Sequence, residues 1–301
     1  MSKNVALVLS SGGARGVAHI GVIEELVKSG YTITSIAGAS MGALVGGMYA
    51  KGTLPAFTEW LLGFTKMDVL KFMDLTIGHG GLVKGEKILK ALEEYIGDSK
   101  IENLPIPYSC VAADLIGHKE VVFHKGSLLD AIRASISIPT VFLPVSIGNM
   151  LLVDGGVLNP LPIDLIHREA GDILIAVNVN ANIPYTPPAP IPLPNEQESY
   201  YGKVRAIINE RWSGVIDQYV DKYRNVKQPK PKQVNMFDVI SESINLAQNK
   251  AANIYIEKYN PDVVIETSFE TATAYDFYKS EELIEAGREA CRKALKKFEK
   301  Q

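Results

Sequence analysis

The chain has 301 residues, 47% hydrophobic and 22% charged, with a formal net charge of −3 and a pI near 6.0. That length carries one large domain or two modest ones and is ample for an apolar core, while the mild acidity offers nucleic acid no electrostatic footprint. Cys110 and Cys291 are the sole cysteines, too few for a disulfide framework, and no stretch approaches the ~18 uninterrupted apolar residues of a membrane span. The N-terminal apolar run lacks the length and cleavage site of a signal peptide, so the expected location is cytoplasmic, with peripheral membrane contact as a second possibility.

Short apolar runs alternate with segments of helical period, which predicts an α/β fold with a mostly parallel central sheet flanked by helices. Val5 to Leu9 reads as the first strand, and Val17 to Val27 as a helix with Ile20, Ile23, Leu26 and Val27 inward, ended by Gly30. Thr34 to Ala37 is a second strand, followed by a small-residue helix from Ser40 to Tyr49. The stretch 55–75, rich in Phe57, Trp60, Leu61, Leu62, Phe64 and Phe72, reads either as a core-packing helix pair or as the wall of an acyl-chain site. "YSCVAAD" (108–114) and "KEVVFH" (119–124) read as neighbouring strands joined by a turn at Gly117. Residues 128–139 form a helix stopped by Pro139, 149–156 a strand ending in a turn, and "IDLIHREAG" (163–171) an amphipathic helix carrying His167. A buried strand follows at 171–179.

Residues 181–194 hold six prolines and predict an extended surface segment. A long helix spotted with aromatics is expected from Gln197 to Tyr223, then a loop "KQPKPK". One domain over 1–301 with an arm inserted at 181–235 fits this organisation better than two cores. The arm's Tyr185, Tyr200, Tyr201, Trp212, Tyr219 and Tyr223 suit a bilayer surface or a homo-oligomer contact equally. Phe237 to Tyr255 and Glu281 to Phe298 are predicted helices flanking a last strand at Val263 to Ile265, the final helix packed on its apolar face with a solvated basic one.

Three strand ends carry the chemistry. Gly38-Ala39-Ser40-Met41-Gly42 is a G-x-S-x-G placed directly after a strand and before a helix, the context of a nucleophile elbow; a serine N-cap in a glycine-rich turn gives the same string. "LLVDGG" puts Asp154 at the end of a buried strand, where ligands gather in open parallel sheets, although Asp-Gly is also a common turn signal. Ser10-Ser11-Gly12-Gly13 leads from the first strand into a helix and can form a nest of N–H groups suited to an anion. Without a Gly-Lys-Ser/Thr ending or a G-x-G-x-x-G spacing, it suits an oxyanion hole better than a phosphate loop. A conventional triad lacks a histidine: His167 follows Asp154 but reads as a helix-surface residue.

In content and order, "SSGGARGVAHIGV", "GASMG", "ASISIP" and "DGG" resemble the patatin-like phospholipase family over roughly residues 4–180. The resemblance implies a three-layer α/β fold and hydrolysis of lipid acyl esters through a Ser–Asp dyad, with no metal or organic cofactor. Ser40 would be the nucleophile and Asp154 its base. Gly12, Gly13 and Ala14 would supply oxyanion-hole N–H groups, with Arg15, Gly38, Gly42, Gly155 and Gly156 in support. Two positions depart from the family pattern: Ser11 replaces the first glycine of G-G-G-x-R-G, and Ser137 stands where alanine is frequent. If position 11 needs a positive φ, serine there is costly. The rival expectation is a low-turnover regulatory or lipid-binding protein that keeps the fold.

Overall fold

The computed structural model describes residues 3–68, 86–139, 141–185 and 236–300. The predicted helix at 197–223, most of the proline-rich segment and the last third of the apolar stretch at 55–75 lie outside these residues. The chain divides into two compact units, 1–188 with 240–301 and 189–239, and the central sheet belongs to the first.

The strands are β1 (Asn4–Leu9), β2 (Thr32–Ala39), β3 (Tyr108–Asp114), β4 (Lys119–Phe123), β5 (Val145–Ile147), β6 (Met150–Asp154), β7 (Ile173–Ala181) and β8 (Val263–Ser268). The α-helices are α1 (Ala18–Lys28), α2 (Met41–Lys51), α3 (Leu54–Leu62), α4 (Glu86–Ile96), α5 (Leu128–Ser135), α6 (Met236–Tyr259) and α7 (Ser280–Phe298). The sheet runs β5-β6-β3-β2-β1-β7-β8, with β4 also paired to β3. Four pairings are parallel and three antiparallel.

β1 shows why the sheet sits at the centre. Val5, Leu7 and Leu9 enter one apolar cluster with residues of α1, α2, α3 and α7. Ala6 and Val8 enter another on the opposite face, with Leu174, Ala176 and Ala252. A strand covered on both faces reads as an unbroken apolar run, which is what "VALVL" is. Burying each of these larger side chains contributes about 1.5–3 kcal/mol.

The two ends of the chain close the molecule together. A Cβ on Gly21 of α1 would lie 1.8 Å from the Ile284 carbonyl oxygen, and one on Gly287 of α7 would lie 2.0 Å from the Ala18 oxygen. The helices therefore touch backbone to backbone. Around this contact Arg288 pairs with Glu24 at 2.7 Å and Arg292 with Glu25 at 3.1 Å, so the basic face of α7 is partly neutralised rather than simply solvated.

Several expectations need correcting. Val27 is 49% exposed, because α1 turns only the Ile20, Ile23 and Leu26 side toward the sheet. α5 ends at Ser135, ahead of Pro139, where Ile138 N–H bonds back to the Ile136 carbonyl and frees the Ser137 carbonyl to accept from Asp154 N–H. Residues 163–171 form one short 3-10 turn, Ile163–Leu165, instead of an amphipathic helix. His167 lies beyond it, exposed, with Nε2 2.8 Å from Glu169. No helix among the described residues is long and apolar enough to cross a membrane.

Candidate active site

β2 delivers Ser40 and α2 leads away from it. Ser40 has φ 54 and ψ −123, a conformation that costs an L-residue about 1–3 kcal/mol and persists only where the surroundings enforce it. The enforcement is close packing. A Cβ on Gly42 would lie 2.3 Å from the Leu9 oxygen, so α2 begins directly against the end of β1. The Ser40 N–H donates to Ser135 Oγ at 2.9 Å, which ties the turn to α5.

Asp154 reaches this serine by an unexpected route. β4 pairs with β3 continuously from Cys110 to Asp114 and fills one edge of it. β2, on residues 108–111, and β6, on residues 112–114, must therefore share the other edge in succession. They run in opposite directions and meet end to end, Ala39 opposite Val111 and Asp154 opposite Ala112. Asp154 thus stands at the end of an antiparallel strand, not at the carboxyl edge of a parallel one. Ser40 Oγ donates a hydrogen bond to Asp154 Oδ2, and Gly156 N–H donates to Oδ1 at 2.7 Å. The carboxyl is 2% exposed. Burial pushes its pKa up to about 7, while the hydrogen bonds from Ser40 and Gly156 pull the other way.

The loop after β1 is held by its carbonyls. Asn180 Nδ2 donates to the Ser11 oxygen at 2.6 Å, and Arg15 donates to the Gly12 oxygen through Nε at 3.2 Å and through its own N–H at 3.2 Å. In a planar trans peptide the N–H points opposite to the C=O. Fixing these carbonyls therefore turns the Gly12 and Gly13 N–H groups the other way, and neither meets an acceptor among the described residues. Ala14 is different: its N–H donates to the Ala274 oxygen at 3.0 Å and is already engaged, so it is not a free donor. Ser11 is not among the positive-φ residues, so its backbone makes no demand for glycine. Buried His19 bonds to the Ser10 oxygen at 2.8 Å, and burial pulls its pKa down to about 4, keeping it neutral.

Two clefts meet at Ser40. One, with an empty volume of ≈ 870 Å³ partly open to solvent, is walled by Leu44, Phe57, Trp60, Leu61, Phe142 and Phe277. Phe57 and Leu61 of α3 belong both to the core and to the wall of this cleft. The other cleft brings Ser11, Gly12, Ser40 and Asp154 together with Asn245 and Gln248 of α6, alongside apolar Ile138, Val141 and Ile244. No group of three or more His, Cys, Asp or Glu among the described residues is placed to hold a metal ion.

Three residues of this arrangement, Ser135, Asn180 and Asn245, are not singled out by the sequence motifs. Ser135 lies within "ASISIP", whose departure from the family pattern is at Ser137 instead. For Asn180 the local signal is two asparagines at alternate positions inside the apolar run "IAVNVN". Asn245, which accepts from Arg15 at 3.4 Å, has no local signal.

Residues 7–167 match the family model described as patatin-like phospholipase. An NTE family protein of Mycobacterium tuberculosis is 36% identical over 336 residues, spanning 99% of this chain and 93% of that protein. Lysophospholipase NTE1 of Debaryomyces hansenii is 31% identical over 194 residues, covering 62% of this chain and 12% of that much longer protein. Among solved structures, VipD from Legionella pneumophila superimposes with a TM-score of 0.45 at 12% identity, over 99% of this chain and 67% of that one.

Proposed function

The chain belongs to the patatin-like phospholipase family, and on that premise we propose that it hydrolyses acyl esters of lipids through a Ser40–Asp154 dyad. The observation that carries this reading is the Ser40–Asp154 hydrogen bond at the foot of an apolar cleft. An aspartate with an ordinary pKa near 3.9 is a poor base for an alcohol. Asp154, raised to about 7, holds a proton far more readily and is still largely ionised slightly above neutrality.

In the proposed cycle the acyl chain occupies the apolar cleft. Ser40 Oγ attacks the ester carbonyl as its proton passes to Asp154. The Gly12 and Gly13 N–H groups take the oxyanion, at no reorganisation cost because the Ser11 and Gly12 carbonyls of the same peptide groups are already pinned. The tetrahedral intermediate collapses with cleavage of the ester C–O bond, and the departing alcohol takes the proton from Asp154. Water then attacks the acyl-serine, giving a proton to Asp154. Collapse releases the fatty acid and the proton returns to Ser40 Oγ, so that ester and water become acid and alcohol.

The test is hydrolysis of p-nitrophenyl esters of increasing chain length by wild type, Ser40→Ala and Asp154→Asn, with fluorophosphonate labelling of Ser40. Turnover of longer chains, lost in both variants, supports the dyad. Absence of both turnover and labelling would shift the assignment to a lipid-binding protein that keeps the fold.

A further inference from the structure

An ester bound at Ser40 must place its two halves on opposite sides of the reacting carbonyl. The apolar cleft receives the acyl half, so the leaving alcohol lies toward α6. There the second cleft at Ser40 continues, through the shared residues Arg15 and Asn245, into a groove with an empty volume of ≈ 730 Å³ that includes open solvent. Its lining contains five asparagines: Asn180, Asn182, Asn245, Asn249 and Asn253. Three of them stand four residues apart along α6, on one face of the helix. All five asparagines lie beyond residues 7–167, the stretch matched by the family model.

We infer that this groove is the subsite for the polar half of the substrate and that it selects head groups bearing hydroxyls; the inference rests on the proposed hydrolase activity. The exposed amides of Asn182 and Asn253 each carry a donor and an acceptor side by side, the complement of neighbouring hydroxyl groups, while Asn245 is held between Arg15 and Glu242, and Asn249 between the Asn180 carbonyl and Asn253. Asn180, which also lines the groove, is 7% exposed, and its Oδ1 is a buried acceptor with no partner among the described residues. The charged groups point the same way. Arg15 is committed to the Gly12 and Phe269 carbonyls and to Asn245, which leaves Lys250 at the rim, opposite in sign to Glu242. Phe269 is the one aromatic residue lining the groove, so no aromatic cage is present for a quaternary ammonium group among the described residues.

The test compares kcat/KM for lysophosphatidylglycerol, lysophosphatidylcholine and a p-nitrophenyl ester of the same acyl chain. Both lipids carry the phosphate, and only the first ends in a diol. The variant is Asn182→Leu with Asn253→Leu, two exposed positions whose replacement spares the core. Wild type is expected to prefer the diol lipid by about tenfold, and the double variant to bring that ratio close to unity with its melting temperature held. Equal cleavage of the two lipids by wild type, or a preference that survives in the variant, overturns the subsite while leaving the hydrolase reading intact. No cleavage of any of the three esters, with Ser40 unlabelled, overturns both.

Discussion

At the scale of single residues, Asp154 links activity and stability with opposite signs. The proposed catalysis needs the Asp154 carboxylate, so kcat/KM should rise with pH around an apparent pKa of about 7, as a pH–rate profile would show. Folding favours the protonated acid, because the folded pKa stands above the unfolded value of about 3.9. The stability that this group contributes is therefore fully present below about pH 4 and is lost as pH rises through about 7. Asp154→Asn removes that penalty. The variant is expected to be more stable than wild type at pH 8, by up to about 4 kcal/mol, and to show little gain at pH 4, while losing about 10³-fold or more in ester turnover; calorimetry at the two pH values checks the first part. Asn180 acts through the loop instead. Asn180→Asp keeps the shape but replaces the donor facing the Ser11 carbonyl with an acceptor. On a p-nitrophenyl ester, which carries no polar head group for the groove, the expected loss is about 10²-fold in kcat with KM little changed, the signature of misaligned oxyanion donors rather than weaker substrate binding.

At the scale of elements, the cleft belongs to helices and turns, and the dyad to strands. Phe57 and Trp60 of α3 pack with ring centroids 5.7 Å apart and wall the apolar cleft proposed to take the acyl chain. Ile138, in the turn after α5, borders both clefts and is half-buried. Ile138→Trp is expected to shorten the acyl site. Since each buried methylene contributes about 0.8 kcal/mol, turnover of a p-nitrophenyl dodecanoate should fall by about tenfold or more relative to the butyrate. An unchanged ratio in a chain-length series would place the acyl chain elsewhere. The legible part of these elements was their period. "VALVL", "YSCVAAD" and "ILIAVNV" are buried strands by composition alone, and α1, α6 and α7 declared themselves by spacing. Residues 163–171 misled because a short apolar-polar alternation fits a helical face without being long enough to hold one.

At the scale of the whole molecule, the joining of α1 to α7 ties the first strand's surroundings to the end of the chain. Backbone contact at Gly21 and Gly287 leaves no room for a side chain. Gly287→Val is expected to lower the unfolding free energy by about 3 kcal/mol, because backbone can yield only by moving a helix. Arg288→Ala, which removes partly exposed ion pairs to Glu24 and Glu285, is expected to cost about 1 kcal/mol or less. Urea titration of both variants ranks packing against charge at this interface, and a larger effect for the arginine would reverse that ranking.

The sequence by itself determined the strand–turn–helix around Ser40, the glycine loop after β1 and the Asp-Gly-Gly turn, because each is a short-range arrangement in which residue size and backbone freedom decide the shape. Only the tertiary structure decided how they combine. Hydrophobic period reports that a strand is buried but not its direction, so the antiparallel run of β6 and its end-to-end meeting with β2 were not readable. A backbone N–H likewise finds its partner across the fold: the Ala274 carbonyl that engages Ala14, and the Asn180 side chain that turns the loop amides, lie far along the chain from Gly12 and Gly13. Local sequence sets which groups are present at the candidate site, and distant packing sets which of them are free to act.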